Sequence, residues 1–401
     1  MSEQLLSRVR VLDLTHYIAG AYCTKLLADY GADVIKVERP GQGDGARRLG
    51  PFYRDHAHPE KSGLFLHLNT NKRGITLNLK SSAGVRMFQE LVGWADVVVE
   101  SFRPEVMRGL GLAYEELRRV KPGLLMVSIS SFGQKGPYRD FQSEEILGYA
   151  MGGMMHSTGL PNRQPLKLGG RVGLYQAGAM AATATVISLY GCRAEGRGDY
   201  IDLSIMETQA GSVDRRANAL LGYQYNGAPY TRTGPSPFRG HWPCRDGYID
   251  MFFIGPLFRR ALEMLDQPEL VEDPRFSSPE EWSKPENSEA FQEYFLTWSM
   301  EHTRQKIWQR AQEARLPAGP VNSTAEVLTD PHFRARGFWT KVCHPYTGEL
   351  EYPGSPFSTS SGSWEVRRPA PLLGQHNREV FCGLLGYSGA ELAKLRETGV
   401  I

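Results

Sequence analysis

The first 130 residues alternate short apolar runs with segments of helical periodicity. Residues 9–14 and ADVIKVE (32–38) are apolar runs suited to buried parallel strands, and residues 21–30 between them carry apolar side chains at helical spacing. The alternation continues with GITLNL (74–79), ADVVVE (95–100) and LLMVSISSF (124–132). Repeated strand–helix alternation predicts an α/β fold, in which helices cover both faces of a parallel sheet.

The loop after the first predicted strand excludes one large class of α/β enzymes. Residues 15–20 read Thr-His-Tyr-Ile-Ala-Gly, so the glycine fingerprint of dinucleotide-binding domains is absent. An NAD-dependent enzyme is therefore not expected.

The middle of the chain changes character. Predicted helices at 145–156 and 177–191 are rich in small residues, and 222–240 is dense in Gly, Pro, Tyr and Arg, as in an ordered loop or linker. A strand at 248–253 and helical periodicity over 257–265 and 290–314 follow. With 401 residues the chain exceeds one compact core, so these segments predict a second, smaller domain.

Charge and cysteine content favour a cytoplasmic enzyme. The formal net charge is +2, which gives no reason to expect binding to nucleic acid or to a membrane surface. The 5 cysteines have no CxxC spacing, which argues against a disulfide framework or a zinc site. His56 and His58 have no neighbouring ligand cluster, so no metal is expected. The apolar run over 177–189 is too short to span a bilayer.

Motifs in a fixed order along nearly the whole chain carry a family resemblance. They are VLDLTHYIAG, LLADYGADVIKVERPGQGD, LNTNKRGITLNLK, ADVVVESFRPEVMRGLGL, SISSFGQKGPYRD, YAMGGMMHSTG, DGYI, LPAGPVN, DPHFRARGF and PLLGQHNREV. In this order and spacing they resemble the class III (CaiB/BaiF) coenzyme A transferases, a family that also includes acyl-coenzyme A racemases.

The resemblance implies an architecture and an assembly. A large Rossmann-like domain would comprise residues 1–220 and 331–401, with a smaller α/β domain and its linkers at 221–330. Family members form dimers whose subunits interlock like rings, so a lone subunit would expose long apolar surfaces. Coenzyme A and its acyl thioesters would be substrates.

Basic side chains near the predicted strand ends are candidates for binding the phosphates of coenzyme A. Lys36, Lys72 and Arg73 are read either as such ligands or as solvated charges at strand ends. The resemblance implies that four residues line the coenzyme A site: His16, Arg39, Leu77 and Lys80. Leu77 would lie under the adenine.

Two departures from the family pattern reduce the expected contacts. Gly109 stands where relatives often carry an arginine, and Ile18 stands where some carry a polar residue. Coenzyme A binding is thus expected with fewer polar contacts.

The family nucleophile is missing from this sequence. In relatives, an aspartate four residues before a glycine attacks the thioester and forms a mixed anhydride. Counting back from Gly178 places Leu174 at that position, and an isobutyl group cannot act as a nucleophile. Glu145 matches an acidic position that assists the chemistry in relatives. Tyr175 has an ordinary pKa near ~10 and would need strong activation to replace the aspartate.

A retained scaffold without its nucleophile predicts the non-catalytic subunit of a heteromeric transferase. A paralogous subunit would carry the aspartate, and the substrates would be an acyl-coenzyme A, such as succinyl-coenzyme A, and a carboxylic acid. The pattern is similar to the aspartate-lacking subunit of the benzylsuccinate transferase of anaerobic toluene degradation. The alternatives are a homodimeric racemase or transferase with altered chemistry and a non-enzymatic coenzyme A-thioester binding protein.

Overall fold

The computed structural model describes residues 4–210, 216–229, 231–232, 239–267, 269–360 and 364–401. The strands are β1 (Arg10–Leu14), β2 (Asp33–Glu38), β3 (Lys72–Thr76), β4 (Val97–Glu100), β5 (Leu125–Ser130), β6 (Asp199–Ser204), β7 (Arg239–Cys244), β8 (Gly247–Phe252), β9 (Ala318–Pro320), β10 (Trp339–His344) and β11 (Gly348–Pro353). The helices are α1 (Ala19–Asp29), α2 (Gly63–Leu68), α3 (Ser82–Trp94), α4 (Val106–Gly109), α5 (Tyr114–Val120), α6 (Glu145–Met151), α7 (Val172–Glu195), α8 (Ile205–Ala210), α9 (Arg216–Asn226), α10 (Leu257–Met264), α11 (Glu269–Glu272), α12 (Pro279–Trp282), α13 (Pro285–Glu301), α14 (Arg304–Glu313), α15 (Thr324–Thr329), α16 (Pro331–Ala335), α17 (Asn377–Phe381) and α18 (Gly389–Glu397).

The main sheet confirms the predicted α/β class. Its strands run in the order β3-β2-β1-β4-β5-β6, and every described pairing is parallel. Leu12 on β1 is level with Ile35 on β2 and with Val98 on β4. The strand order reverses between β1 and β4, the kind of position at which open α/β sheets bind ligands.

The two faces of this sheet carry separate apolar cores. Val11 and Val34 pack on one face with α1 and α7, while Leu12 and Ile35 pack on the other with α3. Successive strand residues point to opposite faces, so a strand covered on both sides must be apolar throughout. Burial of each such side chain contributes about 1.5–3 kcal/mol. The C-terminal Ile401 joins the second of these cores.

Two helix boundaries differ from those predicted. Apolar spacing predicts one helix over 290–314, whereas α13 ends at Glu301 and α14 begins at Arg304. His302 adopts an extended conformation, and the Thr303 hydroxyl accepts a hydrogen bond from the Lys306 amide, which starts a new helix. The helix predicted over 145–156 ends earlier, at Met151.

The other differences concern α7 and the segment after it. α7 has 24 residues, so the apolar run over 177–189 belongs to a helix that could cross a bilayer by length and composition. Helices that pack in the core of globular proteins also meet this criterion, and α7 lies on α1. The predicted loop at 222–240 begins inside α9 and ends inside β7, while residues 230 and 233–238 of it lie outside the described residues.

The chain divides into two compact units. The first comprises residues 1–158, 165–231 and 336–401 and contains the main sheet. The second comprises 159–164 and 232–335. Its sheet has the order β7-β8-β9, and its core is rich in aromatic side chains such as Phe253, Phe291 and Phe295.

Candidate active site

Two cavities of the first unit lie at the carboxyl ends of β1 and β4, where the strand order reverses. The large cleft has a volume of about 670 Å³ and contacts Ile18, Ser101 and Leu174. The small pocket has a volume of about 360 Å³ and contacts Arg39 and Leu77. The two cavities share wall residues: His16, Tyr17 and Phe102.

The small pocket brings together the four residues selected by the family resemblance. His16 and Arg39 reach it from the loops after β1 and β2, and Leu77 and Lys80 from the segment after β3. Leu77 is 2% exposed and so contributes an apolar surface to the wall. Their assignment to coenzyme A remains a prediction.

Lys36 and Lys72 differ from both readings of the sequence, because they are neither solvated nor free to bind phosphate. Both are fully buried. The Lys36 ammonium lies 2.9 Å from Asp44 and 3.9 Å from Asp13, and the Lys72 ammonium lies 2.9 Å from Asp13. Burial alone would raise the pKa of Asp13, but the two ammonium groups and the Thr15 hydroxyl lower it to about 2. Arg73 pairs with Asp33 and Glu379.

Asp44 holds the loop that forms the shared wall of the two cavities. Its Oδ1 accepts hydrogen bonds from the Tyr17 amide at 3.0 Å and the Ala46 amide at 2.9 Å, and His16 Nδ1 lies 3.7 Å away. Burial raises the pKa of Asp44, but the charge of Lys36 and the contact with His16 bring it well below its ordinary value. Tyr17 has a φ of +62°, which the Asp44 contact helps to maintain.

Leu174 and Glu145 both line the large cleft. Leu174 lies in the first turn of α7, and that helix contains no aspartate or glutamate before Glu195, at its last position. Glu145, the first residue of α6, therefore supplies the carboxylate at the start of α7. Its Oε1 accepts a hydrogen bond from the Gly173 amide at 3.2 Å, and its Oε2 lies 3.0 Å from the Lys167 ammonium.

Three arginines also line the large cleft: Arg103, Arg139 and Arg171. Arg103 donates to the side-chain oxygen of Gln142 at 2.5 Å. Arg139 pairs with Glu105 at 2.9 Å and with Asp140 at 3.1 Å. The sequence prediction included none of the three, because each follows a strand or precedes a helix without a charge pattern that marks it.

Glu100 is a further buried carboxyl group that the sequence prediction missed. It ends β4, is 2% exposed, and accepts a hydrogen bond from the Phe102 amide at 2.7 Å. Burial raises its pKa to about 7. The acidic residue after three valines was the available signal, since a glutamate at the end of a buried strand loses much of its hydration.

Comparison with known proteins decides the family. The model of CoA-transferase family III matches residues 6–377. The chain belongs to CoA-transferase family III. It is 35% identical to succinyl-CoA–D-citramalate CoA-transferase of Chloroflexus aurantiacus, over 99% of this chain and 98% of that protein. It is 29% identical to succinyl-CoA:(R)-benzylsuccinate CoA-transferase subunit BbsE of Thauera aromatica, over 98% of each.

Solved structures agree with this assignment. A CaiB/BaiF family protein from Brucella suis is 28% identical and has a TM-score of 0.85, covering 95% of this chain and 100% of that one. The family resemblance is therefore confirmed, as is the α/β fold. The matched family model and the relatives above are named for CoA-transferases, which act on coenzyme A thioesters, so this chain is a CoA-transferase polypeptide.

Proposed function

We propose that this chain is the non-catalytic subunit of a cytoplasmic heteromeric CoA-transferase, whose partner is a paralogue that carries the nucleophilic aspartate. One observation carries the proposal. α7, the helix that should present the aspartate, has no carboxylate before its last residue, and an isobutyl group of Leu174 lines the cleft instead. Without a nucleophile at that helix, the anhydride must form on another chain.

This argument does not depend on the register of one residue, because α7 contains no aspartate or glutamate before Glu195. A carboxylate one turn after Leu174 would stand at Gly178, where even a Cβ atom would lie 2.4 Å from the Ala19 carbonyl oxygen. α7 thus packs too closely on α1 at Gly178 to hold an acidic side chain. Both the sequence and this packing support the loss of the family nucleophile.

Glu145 is suited to hold the start of α7 rather than to attack a thioester. The Gly173 amide occupies one of its oxygens and the Lys167 ammonium the other. These contacts would have to break before either oxygen could bond to carbon. We therefore give it an auxiliary, positioning role.

The small pocket supports retained binding of coenzyme A. Arg39 and Lys80 would meet the phosphates and Leu77 the adenine. No heavy atom lies within 4 Å of a Cβ built at Gly109, so packing does not require a glycine there. The glycine removes the contact that an arginine makes in relatives. The expected ligands are succinyl-CoA and the thioester of a second carboxylic acid, such as benzylsuccinate.

Exposed apolar side chains support a partner subunit. Ile187 and Tyr190 on α7 are 66% and 81% exposed, and Leu221 and Tyr225 on α9 are 59% and 83% exposed. Exposed large apolar side chains that cluster on a soluble protein mark interaction surfaces. We assign these helices to the interface with the paralogue in an interlocked dimer with the domain division 1–220, 221–330 and 331–401. The relative from Thauera aromatica is likewise named as a subunit.

Co-expression with a neighbouring paralogue tests this function. The complex is isolated through a tag on this chain, and transfer is measured from succinyl-CoA to candidate carboxylates. We expect activity that survives Leu174→Ala here and falls at least ~1,000-fold when the partner's aspartate becomes asparagine, as expected for loss of a covalent nucleophile. Full activity of this chain as a homodimer would refute the proposal and favour altered chemistry at Glu145.

A further inference from the structure

The charge balance of the large cleft is uneven around Arg171. Arg103 and Arg139 are each hydrogen bonded to a neighbouring side chain, as described above. Arg171 has no hydrogen bond or ion pair from its guanidinium to any residue in the described part of the chain, and it is exposed in the cleft. A guanidinium keeps its charge at all ordinary pH values and presents a planar fork of donors that matches a carboxylate.

Within the described residues, the three carboxylates that line the cleft leave Arg171 without a partner. Glu145 is already neutralised by Lys167 and by the Gly173 amide. Asp140 is paired with Arg139. Glu144 also lines the cleft, but it is exposed and lies beyond ion-pair distance of Arg171.

The start of α7 sets the position of Arg171 relative to Leu174. The Arg171 carbonyl accepts the Leu174 amide at 3.1 Å, which places Arg171 one turn from the apolar side chain that occupies the family's nucleophile position. The same wall includes the apolar Ile18 and Ile205. A ligand here thus meets an apolar surface and then a free cation, the two features of a short acyl chain that ends in a carboxylate.

We propose that the large cleft of this chain binds the acyl part of a dicarboxylic acid thioester, with Arg171 pairing the distal carboxylate. The inference rests on the proposed function, because coenzyme A would occupy the small pocket that shares a wall with the cleft. It goes beyond that function in giving the subunit without a nucleophile a binding site of its own for the dicarboxylyl thioester.

Two unreactive thioethers provide the test. S-carboxypropyl-CoA carries the distal carboxylate, and S-butyl-CoA replaces it with a methyl group, while neither can transfer an acyl group. Binding is measured by calorimetry on the protein in the assembly in which it is purified. The wild type should prefer the carboxylate ligand by about tenfold or more, the value of a charged hydrogen bond.

Three variants test which residue causes the preference for S-carboxypropyl-CoA over S-butyl-CoA. Arg171→Gln should abolish the preference and leave the affinity for S-butyl-CoA unchanged. Arg39→Gln should lower the affinity for both ligands by the same factor. Arg197→Gln, an exposed arginine outside both cavities, is the matched control and should keep the wild-type preference. An undiminished preference in Arg171→Gln, or no preference in the wild type, would overturn the inference.

These outcomes are separate from the test of the proposed function. The preference is a ratio of two affinities measured without turnover, so it does not depend on which chain carries the nucleophile. A homodimer that catalyses transfer and retains an Arg171-dependent preference would refute the subunit role alone. A heteromer in which only the partner's aspartate matters, but in which Arg171→Gln changes nothing, would refute the Arg171 site alone.

Discussion

The raised pKa of Glu100, at the end of β4, predicts a pH dependence of the protein's stability. Its pKa of about 7 in the fold lies above the ordinary value of 4.5 for a glutamate, because burial disfavours the charged form. Between these values the native state binds more protons than the unfolded state, so stability falls as pH rises from 4.5 to 7. Above pH 7 the ionised carboxylate costs about 3 kcal/mol.

Glu100→Gln removes that cost and retains an oxygen that can accept from the Phe102 amide. We predict that the variant unfolds at a higher temperature than the wild type at pH 8 and that the difference largely disappears at pH 5. Thermal unfolding followed by circular dichroism at both pH values measures this. Glu115→Gln, at an exposed glutamate of α5, should show no such pH-dependent difference. An equal gain at both pH values for Glu100→Gln would contradict the assigned pKa.

At the residue scale, the family motifs grouped side chains that share one pocket, while long-range contacts were not predictable from the sequence. The four predicted residues His16, Arg39, Leu77 and Lys80 line one pocket. Lys36 and Lys72 were misjudged as strand-end cations. Asp13 on β1 becomes a neighbour of both lysines only when β1, β2 and β3 pair, and Asp44 reaches Lys36 only because the loop after β2 folds back. Arg171 carries no local signal at all, because its role depends on which neighbouring charges are already paired.

At the scale of elements, the contact between α1 and α7 sets how closely the two helices approach each other. The two helices touch where Gly178 faces the Ala19 carbonyl, and only a residue without a side chain fits this approach. Gly191 lies on the same helix with no atom within 4 Å of its would-be Cβ. Substitution of Gly178 and of Gly191 therefore distinguishes the effect of packing from the effect of helix propensity.

Gly178→Ala should destabilise the protein by about 1–3 kcal/mol through overpacking, and its unfolding temperature should fall by several degrees. Gly191→Ala is the matched control. It should leave stability unchanged or raise it by about 0.5–1 kcal/mol, because alanine favours the helix. If both substitutions have the same effect, the close approach of α1 and α7 is not as described.

The prediction of helix boundaries failed where a capping residue, and not the apolar periodicity, determines where a helix begins. The apolar spacing of 290–314 runs through the break between α13 and α14, because Phe291, Phe295, Trp298 and Ile307 all enter one core. Periodicity therefore gave one helix. The Thr303 cap, a polar residue that starts α14, was the local signal for two.

At the scale of the whole molecule, the alternating pattern predicted the parallel sheet, and the motif order predicted the family. The strand order, with its reversal between β1 and β4, could not be read from periodicity, because alternation does not say which strands are neighbours. The proposed subunit role is also argued at the scale of the whole molecule. It combines a retained pocket, a helix without its carboxylate and exposed apolar residues on α7 and α9.

Identification of the polypeptide that carries the acyl group tests the central claim most directly. The complex of this chain with its paralogue is mixed with succinyl-CoA and quenched in acid, and intact mass spectrometry locates the added succinyl group, with loss of the adduct in hydroxylamine as the mark of an anhydride. We predict an adduct on the paralogue and none on this chain. A hydroxylamine-sensitive succinyl adduct on this chain that disappears in Glu145→Gln would contradict the account.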